Sequence, residues 1–228
     1  MEQSENPWKN ISWKRTVAEC DEGILSPDYC ADKGIDISYL PEPYSGHPDS
    51  PVMCLNLNPG IGLRDACFQL NQTLLELTQK TLMHEERDNM WMHNITCEFR
   101  HVLHDGCIWW QNRTKALREA TNMPTLDMFV LEYFPYHTKR AFAFPKLPSD
   151  KYRNWLLDKA MDEGKLIVVM RGLSRWESIK EKSSAGMSLS QRLSQYKNKI
   201  VMKNPRNVCF SPKNFSNEDW NKLITTLK

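Results

Sequence analysis

No run of eighteen apolar residues occurs in this chain, so the sequence offers no helix able to span a bilayer. Its first fifteen residues, Met1 to Arg15, are polar, contain Pro7 and lack the apolar stretch of a signal peptide. A cytoplasmic location is expected, or a nuclear one in a eukaryote. There is no CxxC pair. The seven cysteines stand singly at 20, 30, 54, 67, 97, 107 and 209, an odd number that argues for reduced, buried thiols rather than a disulfide framework. Scattered in this way they give no sign of the four converging thiolates that an iron–sulfur cluster needs. Internal repeats and low-complexity tracts are also missing.

What is present is an ordinary globular composition, 40% hydrophobic and 25% charged over 228 residues, which favours one domain. The net charge of +2 conceals an asymmetry. Residues 165–228 hold 13 Lys and Arg against 4 Asp and Glu, whereas residues 1–164 hold 17 against 24. Such a split fits a basic face for a polyanion, and equally a solvated C-terminal surface.

Residues 1–50 are rich in Pro, Gly, Ser and Asp and read as an irregular N-terminal extension packed on the domain formed by residues 51–228. Three continuous apolar runs follow: Val52 to Leu57, stopped by Asn58-Pro59-Gly60; Met128 to Leu131, stopped before Pro135; and Leu166 to Met170, stopped by Gly172. A fourth, weaker run is Ile200 to Met202, with Val208 to Phe210 close behind. Helices are expected near 66–83, 84–120, 150–163, 174–182, 188–196 and 217–227, the last with Ser216 as N-cap and Asp219 at the third helical position. Continuous apolar strands between helices indicate a parallel sheet covered on both faces. The fold class is therefore α/β, a three-layer α/β/α arrangement around a mainly parallel four-stranded sheet. Ligands of such sheets bind where loops leave the carboxyl ends of the strands, which directs attention to Asn58, Glu132, Gly172 and Phe210.

Taken in order, Asn58-Pro59-Gly60, the segment Phe129 to Pro135 and the segment Cys209 to Asn214 resemble the motifs of the uracil-DNA glycosylase superfamily, particularly its single-strand-selective and mismatch-acting branches. Ala66-Cys67-Phe68 resembles the segment whose aromatic ring stacks on the extruded base. The resemblance spans roughly residues 52–228. It implies a monomeric, cofactor-free and metal-free DNA glycosylase that flips a base out of single- or double-stranded DNA and hydrolyses its N-glycosidic bond. Under it, Asn58 positions the attacking water and Asp65 is a second water activator, unless the adjacent Arg64 simply neutralises it. Pro59, Gly60, Phe68, Glu132, Tyr133 and Cys209 surround the base. Ser211, Lys213 and Asn214 meet phosphates. Separately from the resemblance, Arg171 and Arg175, just past the third strand, are either phosphate contacts or solvated charges. No lysine occupies a recognisable Schiff-base position, which favours a water nucleophile.

Two positions depart from the family pattern. Glu132 stands where an Asn would read uracil. An ionised Glu only accepts hydrogen bonds, which suits the amino group of a cytosine-like or modified base. Alternatively, Glu132 pairs with Lys139 or Arg140. Cys209 stands where a His would donate to the base carbonyl, and a thiol donates poorly, so His137 or Lys213 is the candidate replacement; otherwise His137 is a satisfied surface imidazole. A pocket departing from uracil readout would suit excision of a hypermodified base from invading phage DNA. The reading of another class is a non-catalytic module of the same fold that binds DNA or a modified nucleotide. Cys97, His101, His104 and Cys107 would share one helical stripe, but about 15 Å of helix separates the first from the last, so packing explains them better than a metal. Trp109-Trp110 and Met90-Trp91-Met92 are either stacking platforms or helix–sheet packing.

Overall fold

The computed structural model describes residues 4–62, 72–85, 105–140 and 143–228. The candidates Asp65 and Phe68, together with Met90 to Met92, Cys97, His101 and His104, lie outside these residues.

Through the first half of the chain run α1 (Pro27–Lys33), β1 (Ile35–Asp36), β2 (Tyr44–Ser45), β3 (Val52–Leu55) and α2 (Gln72–Leu82). They are followed by α3 (Asp105–Thr121), β4 (Met128–Leu131), β5 (His137–Thr138), α4 (Asp150–Asp162) and β6 (Leu166–Val169). The chain closes with α5 (Leu173–Trp176), α6 (Leu189–Gln195), β7 (Lys199–Val201) and α7 (Asn217–Leu227). β3 is central, flanked by β4 and β6 in parallel register, with β7 parallel beyond β6. The sheet has five strands rather than the expected four, because Tyr44–Ser45 pairs antiparallel with the outer side of β4.

Successive side chains of a strand point to opposite faces, and here both faces are covered. Met53, Leu55, Phe129, Leu131, Ile167 and Val169 pack under α4, α6 and the N-terminal segment. Val52, Cys54, Met128, Val130, Leu166 and Val168 pack under α3 and α7. Cys107 is buried on this second side, among apolar neighbours. Double coverage explains why the strands are apolar at every position and not at alternate ones.

The helix expected over 174–182 stops at Trp176. The carbonyls of Ile179 and Glu181 accept from the amides of Ser190 and Leu189, so that stretch folds against the start of α6 instead of continuing as helix. α7 begins as expected, with the Ser216 hydroxyl accepting from the Asp219 amide at 3.0 Å. Among the described residues no helix is long and apolar enough to cross a membrane.

One charge cluster fastens α6 to α4. Arg192 pairs with Asp158, whose side chain is 2% exposed, and with Asp162 at 2.6 Å, while Ser184 bonds both carboxylates. Removing the guanidinium leaves the Asp158 carboxylate buried without its cation. Asp162 is half exposed and rehydrates. Arg192→Leu is therefore expected to cost about 3 kcal/mol, the lower end for breaking a buried pair, read as a lower midpoint in thermal unfolding. An unchanged midpoint would show that the cluster is incidental.

Candidate functional site

β4, β3 and β6 end side by side, and the residues after them form the floor of a cleft. Asn56 follows β3 and its amide donates to Leu131 O; Glu132 follows β4 and its amide donates to Pro43 O; the Arg171 amide reaches back to Leu55 O. Above this floor stand the 56–62 loop, the first turns of α3 with Asp105, Trp109 and Trp110, and the 138–140 loop. The volume is about 390 Å³, within the range of small-ligand sites.

At the floor, the Asn56 amide nitrogen donates to Glu132 Oε1 at 2.8 Å. Both residues are more than nine-tenths buried. The other polar atom of each, Asn56 Oδ1 and Glu132 Oε2, is buried and has no hydrogen-bond partner among the described residues. Buried polar atoms are normally satisfied, so two exceptions within one hydrogen-bonded pair single that pair out. Burial pushes the Glu132 carboxyl up to about 8, Glu42 pushes the same way, and the Asn56 amide and Arg171 oppose. At neutral pH the uncharged acid therefore prevails, and an acid donates as well as accepts. Burial thus favours the uncharged form, where the sequence suggested an ionised Glu132. The alternative of an ion pair with Lys139 or Arg140 does not form either; both cations line the cleft, but the hydrogen bond to Glu132 comes from Asn56.

The walls are built by local constraint. Asn58 donates through Nδ2 to Pro59 O at 2.9 Å and to Thr138 Oγ1 at 2.8 Å, joining the two loops of the rim. Gly62 passes so close to the start of α3 that a Cβ there would lie 2.2 Å from Asp105 Oδ2, a contact no other residue could accept without displacing the helix. The Trp109 ring has two guanidiniums over it, Arg113 at 5.4 Å and Arg171 at 5.6 Å. Burial lowers the Arg171 value, and Nε of each arginine has no partner.

Comparison with family models, with curated proteins and with solved structures gives no match to this chain.

Asn58, Pro59, Gly60, Glu132 and Arg171 line that cleft together. The remaining described candidates do not. His137 is 5% exposed, with Nδ1 on Gly60 O at 2.7 Å and Nε2 on Leu40 O at 3.1 Å, so it braces the Pro59–Gly60 turn from behind. Tyr133 packs against Trp176 and carries Arg153 over its ring at 4.4 Å. Arg175 lies over Phe144 at 4.7 Å. The 209–214 turn is held beside α3 by the Phe210 amide, which donates to Arg113 O. Its Cys209 accepts from Arg113 at 3.1 Å, and its Asn214 fastens the loop internally through Asn204, Asn207 and Cys209. Ser211 and Lys213 remain beyond it, partly or fully exposed.

Sequence reasoning missed Asn56, Thr138 and Arg113. The one available signal for Asn56 was a polar residue inside an otherwise apolar run.

Proposed function

We propose that this chain excises a base from DNA by hydrolysing its N-glycosidic bond. The observation that carries the reading is the buried, hydrogen-bonded Asn56–Glu132 pair, both residues of which line a cleft of about 390 Å³. Lys139, Arg140 and Arg171 supply positive charge at that cleft, suited to phosphate.

A base enters only after leaving the stack. Its edge meets the Asn56–Glu132 pair. The Asn58 amide nitrogen is committed to the rim, which leaves Oδ1 to accept from a water and orient it toward C1′. Attack forms the C1′–O bond while the C1′–N bond breaks, its electron pair departing with the base. The Glu132 hydroxyl, hydrogen-bonded to the leaving base, stabilises that developing charge, and the extra proton of the water passes to solvent.

Incubating the purified chain with oligonucleotides bearing a panel of modified bases, followed by alkaline cleavage, tests the reading. Abasic sites are expected. Asn58→Ala should slow single-turnover excision about 100-fold while changing oligonucleotide affinity only severalfold. The placement of His137 and Cys209 outside the cleft favours a second reading, a module that binds the nucleotide without hydrolysis. Binding with no abasic product from any base would decide for it.

A further inference from the structure

We propose that the ring of Trp109, on a helix outside all the motif segments, is the platform against which a nucleobase lies in the cleft. The inference takes from the proposed function only that a base enters, not that its bond is hydrolysed.

The structure divides between Trp109 and Trp110 the two roles that the sequence leaves open for them. Trp110 is 6% exposed and belongs to the core beneath α3 and α7, so it packs. Trp109 is only partly buried and lines the cleft. Asp105, Gly106, Trp109 and Trp110 all line it, at positions i, i+1, i+4 and i+5 of one helical face, while Cys107 between them is turned into the core. That spacing directs the Trp109 side chain, and not just its backbone, at the cleft.

The ring is held from three directions. Trp110 meets it edge-on, with centroids 4.9 Å apart and planes at 88°. Arg113, one turn further along α3, stands 5.4 Å from the ring and is itself fixed by Asn207 Oδ1 at 2.9 Å and Cys209 Sγ at 3.1 Å. Arg171, from the end of β6, approaches to 5.6 Å. Neither guanidinium is centred on the ring as closely as Arg153 is on Tyr133, at 4.4 Å. A ring so braced needs little ordering when a ligand arrives, and the contact keeps most of its worth. Arg171, Lys139 and Arg140 line the same cleft and suit the phosphates attached to such a ligand. Every base has a π-face, so the platform favours a flat heterocycle as a class, and its gain should be shared by uracil and cytosine.

The test separates base from phosphate. Its probes are pentamers of abasic tetrahydrofuran phosphates bearing one dye, either without any base or with a single central 2′-fluorinated deoxyuridine or deoxycytidine, whose glycosidic bond resists hydrolysis. Affinities come from fluorescence anisotropy at fixed salt and pH. The wild-type chain should bind both base-bearing pentamers roughly 5- to 100-fold more tightly than the all-abasic one. Trp109→Leu fills apolar space without a ring and should bring that ratio close to one, leaving the all-abasic affinity within twofold of wild type. Trp109→Phe restores a ring and should keep most of the ratio. Thermal midpoints show that both variants are folded. A wild-type ratio of one overturns the proposal without any variant, and so does a ratio that survives Trp109→Leu or is lost equally in both variants. A ratio that depends on Trp109, with no abasic product from any base, leaves the platform standing and removes the hydrolysis. Abasic product with a ratio indifferent to Trp109 does the reverse.

Discussion

Asp21→Ala is expected to destabilise the chain by about 4–5 kcal/mol and to lower its thermal midpoint by roughly 10–15 °C. Asp21 is wholly buried, in the N-terminal segment. Its carboxylate accepts from the Tyr136 hydroxyl at 2.8 Å, the Ser149 hydroxyl at 2.7 Å and the Ser149 amide at 3.0 Å. Tyr136 follows the end of β4, and Ser149 precedes α4, so one side chain ties three separate segments. Alanine leaves three buried donors to lose charge-assisted bonds together, each worth about 1–3 kcal/mol, with partial recovery as the Ser149 hydroxyl turns. Asp21→Asn keeps the size and one acceptor and should recover about half the loss. Chemical denaturation of the three proteins decides it; an Ala variant within about 1 kcal/mol of wild type would mean the anchor is redundant.

The second large effect depends on pH. Glu132 titrates near 8 when folded, against an ordinary value of 4.5. Below the ordinary value it is protonated in both the folded and unfolded chain, and its contribution to stability is fully present. As pH rises from there toward 8, the unfolded chain releases its proton while the folded chain keeps it. Stability is then lost at about 1.4 kcal/mol per unit, on the order of 5 kcal/mol in total. Glu132→Gln retains an acceptor for the Asn56 amide and has no proton to release. Its thermal midpoint should equal that of wild type near pH 4.5 and exceed it by about 10 °C at pH 9. Parallel midpoint curves across that range would refute the raised titration.

The strands were legible because a strand covered on both faces must be apolar throughout, and Val52–Leu55, Met128–Leu131 and Leu166–Val169 carry that requirement locally. Tyr44–Ser45 was not. Two residues become a strand only because the edge of β4 is available to them, a decision taken by tertiary fit. The start of α7 could be read from Ser216, since a cap is a local bond. The end of α5 could not, because the carbonyls of Ile179 and Glu181 just beyond it are claimed by amides of α6. In the cleft, Asn58 and Glu132 were legible as polar residues at the ends of parallel strands. The pairing of Glu132 with Asn56 spans 76 residues of chain and depends on the register of β3 against β4. The 209–214 turn carries motif-like residues, yet its place is set by an amide bond to α3 rather than by those residues.

The strand order also bears on how the chain is made. β3 at the centre emerges early from the ribosome, but its two neighbours lie at residues 128–131 and 166–169. The four buried side chains of Val52–Leu55 therefore wait through the translation of more than a hundred further residues before both sides of the strand are paired. Contacts so distant along the chain form slowly and leave apolar strand exposed meanwhile. Chaperone supply and growth temperature should govern how much of the newly made chain stays out of inclusion bodies.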